Sequence, residues 1–208
     1  MKFKSNLCIS LLSIFISTAL HAEKNFIFSE DANKQSATIN TISQHVPYRI
    51  LSNKDPQGKS VEMDDGSIWV IYGSDSSLNV MNWRINDPIV IHPTLWPKWA
   101  GARFFIYNER VRSSAYAELS LGPFKNRSSH IQISGIDYFY GQISVIDGVG
   151  RSTNWSIYME DIKKLQSWQC GQTVIIGFNE NCYAGWFSAY SYILINTEKN
   201  DFIRASLL

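Results

Sequence analysis

The chain is poor in nearly everything that usually marks a chemistry. Its 208 residues include only 3 cysteines, 4 histidines and 6 prolines. No Walker loop, dinucleotide fingerprint, His-Glu-x-x-His or EF-hand loop occurs, so no cofactor is expected. Neither charge sign dominates, with Lys+Arg 19 against Asp+Glu 18. That balance excludes a basic nucleic-acid binder and an acidic solvating tail. There is no second cysteine pair, and His45, His92 and His130 stand isolated, which argues against zinc or another metal site. No apolar run reaches the roughly 20 residues that a spanning helix needs. A hydrophobic fraction of 45% is nonetheless enough for a packed core and excludes global disorder.

The N-terminus reads as an address. Lys2 and Lys4 precede an uncharged apolar stretch over 6–19, followed by small residues, the pattern of a secretory signal peptide. Cleavage is expected after Ala22, where the chain turns polar at Glu23-Lys24, with Ala19 as the alternative site and an uncleaved anchor as the competing reading. Removing 1–22 takes Lys2 and Lys4 and no acid, so 19 cations become 17 against 18 acids. The expected product is exported to the periplasm, cell envelope or medium, with no transmembrane helix. Cys170 and Cys182 then remain. An oxidising compartment permits a disulfide between them; two unpaired thiols are the alternative.

What the sequence does contain is a duplication. Val61-x-Met63-x-Asp65-Gly66 recurs as Ile143-x-Val145-x-Asp147-Gly148, and Trp69-Val70-Ile71-Tyr72 as Trp155-Ser156-Ile157-Tyr158. Trp83 precedes Ile89-Val90-Ile91 as Trp168 precedes Val174-Ile175-Ile176, and Asn108 precedes Ala117 and Leu119 as Asn196 precedes Ala205 and Leu207. The offsets run 82, 86, 85, 85 and 88, the slow drift that loop insertions give a tandem repeat.

Each copy predicts about five short strands and one short helical turn. A strand (Ser60–Met63; 142–146) meets an Asp-Gly turn, a hairpin signal because glycine accepts positive φ. A tryptophan strand follows, then a helical segment (74–82; 160–166) that Ser74 or Asp75 could cap in the first copy. A third strand and a closing hairpin complete the unit. The expected fold is mainly β, with two tandem SH3-like or bent-sheet barrel units. The expected organisation is a signal peptide over 1–22, a loosely held segment over 23–43, unit one over 44–121, a connector over 122–129 and unit two over 130–208. Each unit alone has a thin core, so a shared interface is expected.

Trp69, Trp83, Trp155 and Trp168 recur at framework positions and read as core. A second aromatic set lies in the loops after the third strands, which differ between copies: Trp96 and Trp99 in one, Tyr183, Trp186 and Phe187 in the other. Rings on loops suit recognition, because they give large rigid contact area with few torsions; plugging of the barrel ends is the alternative. Asp64-Asp65 and Asp147 read as turn formers rather than paired catalytic carboxylates. His130 reads as an ordinary strand-edge residue, and no nucleophile–base context appears, so no catalytic residue is assigned.

The pattern Asp65-Gly66-Ser67-x-Trp69, then Trp83-x-x-x-Asp87-x-Ile89-Val90-Ile91, resembles small exported proteins of chlamydiae and related intracellular bacteria. Trp168-x-x-Gly171-Gln172-x-Val174-Ile175-Ile176 fits the same motif more weakly, and the resemblance covers nearly all of 60–208. Repeated units in that group run from a turn through a tryptophan strand to a Trp-x-x-Gly-Asp approach. The motif is structural, so the resemblance implies no activity. Asn86-Asp87-Pro88 and Gln172 depart from it, and the paired turn is therefore not assigned as an ion or ligand site. The expectation is a non-catalytic binding or envelope-associated module for a protein or glycan ligand. A secreted effector or hydrolase with a site between the units is the alternative.

Overall fold

The computed structural model describes residues 48–94, 101–179 and 190–208. The expected signal peptide over 1–22, residues 23–43, and Trp96, Trp99, Cys182, Tyr183, Trp186 and Phe187 lie outside the described residues.

The first unit comprises β1 (Arg49–Lys54), β2 (Ser60–Met63), β3 (Ile68–Tyr72), helix α1 (Ser74–Met81), β4 (Pro88–Pro93), β5 (Phe104–Asn108) and β6 (Ser113–Leu121). The second repeats the order. It contains β7 (Ile131–Asp137), β8 (Gln142–Asp147), β9 (Ser152–Ile157), a 3-10 turn (Met159–Asp161), α2 (Ile162–Leu165), β10 (Val174–Phe178), β11 (Tyr192–Asn196) and β12 (Asp201–Leu207). Two six-stranded antiparallel sheets result, in the orders β1-β2-β3-β6-β5-β4 and β10-β11-β12-β9-β8-β7. The first closes into a barrel. The second is a half-barrel whose edges meet at the Gln132–Thr173 bridge.

The duplication extends to register. Trp69 pairs with Leu119 and Ile71 with Ala117, as Trp155 pairs with Leu207 and Ile157 with Ala205. Leu51 pairs with Met63 beside a bulge, as Ile133 pairs with Val145 beside a bulge. Each unit thus has six strands rather than the expected five; β1 and β7 are the additions. The expected cap of α1 is also corrected. Gly73, at φ 85°, occupies the N-cap position, and neither Ser74 nor Asp75 makes a side-chain capping bond.

Strand faces alternate in burial in β3 and β5, as a one-sided sheet requires. By contrast β4, β10 and β11 are buried almost without interruption. Both of their faces are covered, which explains the unbroken runs Ile89-Val90-Ile91, Val174-Ile175-Ile176 and Ile193-Leu194-Ile195. One face lines its own unit, and the other packs at a seam between the units. Ile175, Ile193 and Ile195 accordingly belong to the core of the first unit. Pro47–Leu208 form one compact unit.

The four repeated tryptophans are buried in these cores. Trp69 Nε1 donates to Ser67 Oγ at 3.1 Å and Trp155 Nε1 to Thr153 Oγ1 at 3.0 Å. Trp69 meets Phe104 edge-on at 5.5 Å, and Trp155 meets Tyr192 edge-on at 5.3 Å. Phe104 and Tyr192 occupy matching positions, so the aromatic pair is itself duplicated.

Candidate functional site

The polar residues fall mainly into matched structural knots. Asp87 Oδ2 accepts from the Arg84 N–H at 2.8 Å and from Asn108 Nδ2 at 2.6 Å. At the equivalent position Gln172 Oε1 accepts from the Gln169 N–H at 2.8 Å and from Asn196 Nδ2 at 2.7 Å. Asn86 and Gly171, at φ 72° and 85°, make the same turn before β4 and β10. Asp87 additionally pairs with Arg110, whose hydrogen bonds hold its carboxyl at about 2, against the opposing effect of burial.

Asp64 Oδ1 receives the Ile50 N–H, Asp65 Oδ1 the Ser67 N–H, and Asp147 Oδ1 the Val149 and Arg151 N–H groups. These carboxylates hold turns. His130 directly precedes the edge strand β7, as expected, and is buried with Nε2 3.1 Å from Thr173 Oγ1. Burial, aided by the Lys125 charge, lowers its pKa against the pull of Glu198 and Asp65. Thr173 is itself buried and therefore screened from any substrate. Among the described residues no group of three His, Cys, Asp or Glu side chains is placed to hold a metal ion.

A different feature gathers at the seam where β4 and β10 end. The His92 ring stacks on its cross-strand neighbour Phe105 at 4.8 Å and 8°. On the β10 side it faces Phe178 at 6.2 Å and 25°. Phe178 stacks on its own cross-strand neighbour Tyr192 at 5.5 Å, and Tyr48 meets it edge-on at 6.1 Å. Tyr48 is exposed, whereas Phe105, Phe178 and Tyr192 are partly buried. This shelf joins the two units through side chains from β4, β5, β10 and β11.

Both variable loops are rooted on the shelf. Past His92, the Thr94 N–H donates to the Arg103 carbonyl at 2.7 Å, closing the base of the loop that carries Trp96 and Trp99. Past Phe178, the Asn179 N–H donates to the Ser191 carbonyl and its Nδ2 to the Tyr190 carbonyl. Those bonds close the base of the loop that carries Tyr183, Trp186 and Phe187. His92 and Phe178 are in ring contact, so the two loops leave from one place.

A charged corner adjoins the second root. Tyr190 meets Tyr158 edge-on at 5.1 Å, and the Arg204 guanidinium lies 4.0 Å from the Tyr158 centroid. Arg204 is anchored through Nε to Asp161 at 2.8 Å. Burial pushes the Asp161 carboxyl up, but the hydrogen bonds and charge of Arg204 outweigh it and leave the pKa lowered. Cys170 is exposed in the turn before β10.

Sequence reasoning named Trp96, Trp99, Tyr183, Trp186 and Phe187, which lie outside the described residues, but not Tyr48, His92, Phe105, Phe178, Tyr192, Tyr158 or Tyr190. The signal was available in part, since an aromatic or imidazole ring directly precedes each loop. No family model, curated protein or solved structure matches the chain.

Proposed function

We propose that the protein is an exported, non-catalytic binding module that acts in the periplasm, the cell envelope or outside the cell. Two aromatic loops, carrying Trp96 and Trp99 and Tyr183, Trp186 and Phe187, form one recognition surface for a protein or glycan ligand. The observation that supports this reading is the convergence of both loop roots on the His92–Phe178 contact. Roots at opposite ends would separate the two aromatic sets, whereas these roots are in ring contact. The shelf's own rings are held by paired strands, so they lose little further entropy if they join a contact. A flat ring suits the apolar face of a sugar or an apolar side chain of a partner.

The test is capture from envelope extracts and binding to an array of glycans, comparing the wild type with Trp96→Ala combined with Trp186→Ala. Circular dichroism checks that the fold is kept. Loss of capture with retained fold supports the module. Undiminished capture by the double variant refutes it. So does turnover of a glycan or peptide substrate that disappears when one carboxylate or histidine is replaced, and that result would establish a hydrolase instead.

A further inference from the structure

The turn between β7 and β8 carries a second apolar surface that the recognition loops do not include. Tyr138-Phe139-Tyr140 form its tip, with Phe139 86% and Tyr140 69% exposed. Met159, just past the end of β9, is 79% exposed. It neighbours the tip, because the Ile157 N–H donates to the Gly141 carbonyl. The turn does not need the Phe139 and Tyr140 rings. Asp137 Oδ1 accepts the Phe139 and Tyr140 N–H groups and sets the backbone, while the Tyr138 hydroxyl donates to the Trp168 carbonyl. The first unit builds a turn of equal length from Asp55-Pro56-Gln57-Gly58-Lys59, with Asp55 Oδ2 accepting the Gln57 and Lys59 N–H groups. That turn is polar, so the duplicated fold shows that it can be built without rings at the positions of Phe139 and Tyr140.

The position of the tip is informative. Phe178 pairs with Tyr192, Tyr192 with Ala205, Ala205 with Ile157, and Ile157 bonds to Gly141. The tip therefore stands on the same rim of the second unit as the root of the loop carrying Trp186. With strands roughly 4.8 Å apart, the four steps place it about 20 Å along that rim. Tyr190, Tyr158 and Arg204 lie between.

We propose that this tip is a bilayer-docking site, inserted at the interfacial level of a lipid membrane. Area and shape favour lipid over protein. The four side chains leave on the order of 500 Å² of apolar surface in water, at the upper end of what a monomer normally shows. A stable protein interface needs about 800 Å² per partner. The tip is also convex, and a fluid interface conforms to a convex knob. Its composition is interfacial, since tyrosine combines an apolar ring with a hydroxyl that remains hydrated at headgroup level.

The experiment is flotation of the processed chain, residues 23–208, with vesicles of phosphatidylcholine alone and of phosphatidylcholine mixed with phosphatidylglycerol. Every described strand lies within 48–208, so this chain retains all of the described strands. The wild type is expected to float with both vesicle types, and high salt is expected to leave the binding unchanged because the attraction is apolar. Phe139→Gln combined with Tyr140→Gln should lower the partition coefficient at least about tenfold, with unchanged circular dichroism. The Trp96→Ala and Trp186→Ala double variant should still float, which separates this proposal from the ligand-binding reading. Failure of the wild type to float, undiminished flotation of the tip variant, or loss of binding in salt would each overturn the proposal. Tip-dependent capture of a protein without vesicle binding would also overturn it, by assigning the knob to a protein pocket.

Discussion

Replacing Asp87 by Asn should destabilise the chain at neutral pH and cease to matter in strong acid. The carboxyl falls from 3.8 to about 2, chiefly through its hydrogen bond with Arg110. At 1.36 kcal/mol per unit, that shift corresponds to about 2.4 kcal/mol between the two protonation states. Arg110 is 39% exposed, so solvent screens part of the attraction, and about 1–2 kcal/mol is the expected loss. Asparagine still presents an oxygen to the Arg84 N–H and to Asn108 Nδ2, which leaves the ion pair as the main casualty. A depressed folded pKa contributes stability that is complete above the unfolded value and disappears as pH falls through the folded one. Urea denaturation of both proteins at intervals from pH 7 to pH 2 should therefore show a constant gap down to about pH 4, which closes by about pH 2. Asp147 and Asp161 titrate in both proteins and cancel in the difference. A gap below about 0.5 kcal/mol at pH 7, or one that persists unchanged at pH 2, would refute the assignment of the shift to this pair.

Trp69→Ala and Trp155→Ala should each cost about 3–5 kcal/mol in chemical denaturation, and a loss below about 1 kcal/mol would remove the ring from the core. Gly177→Ala should cost about 1–3 kcal/mol, because an added Cβ would lie 2.5 Å from the Ile91 carbonyl oxygen across the seam. Gly135→Ala, whose Cβ meets only Ser144 at 3.7 Å, should cost much less in the same thermal melt, and equal losses would contradict the close approach. His130→Gln should flatten the acid limb of stability. The wild-type histidine has a lowered folded pKa, so the unfolded chain binds its proton first and stability declines as pH falls through 6.5. Parallel pH profiles for the two proteins would disprove that linkage.

The offsets between copies proved to be strand-specific. The value 82 relates β1 and β2 to β7 and β8, 86 relates β3 to β9, 85 relates β4 to β10, and 88 relates the closing hairpins. Insertions between strands change the count while ladder pairing keeps the register, which is why the repeat survives in sequence. The first strands were harder to read. Arg49-Ile50-Leu51-Ser52-Asn53-Lys54 has only two apolar residues, and its conformation comes from pairing with β2 and β4 rather than from local pattern. The second Asp-Gly turn also misleads, since the positive φ falls at Gly150 and not at Gly148. The aromatic shelf was only partly legible, for a different reason. His92, Phe105, Phe178 and Tyr192 come together only through cross-strand register and the packing of one unit against the other, and neither is local.

The two copies separate architecture from recognition more sharply than either could alone. Where they agree, the shared residue answers a backbone need: buried Asn108 and Asn196 receive the N–H groups of their own hairpins, at Arg110 and Val111 and at Glu198 and Lys199. Ser76 and Asp161 diverge in charge yet perform one task, accepting the Tyr116 N–H and the Arg204 N–H from the last strand of each unit. Aspartate does more than serine can, since it also orients Arg204 over Tyr158 beside the second loop root. The turns follow the same logic. Asp55 and Asp137 both organise a hairpin, but only the second presents rings to solvent. A side chain that a matched position shows to be dispensable for folding, and that burial does not retain, is best explained by something outside the chain. By that criterion Phe139 and Tyr140, matched in the first unit by Gln57 and Gly58, are the side chains of the second unit that folding does not account for.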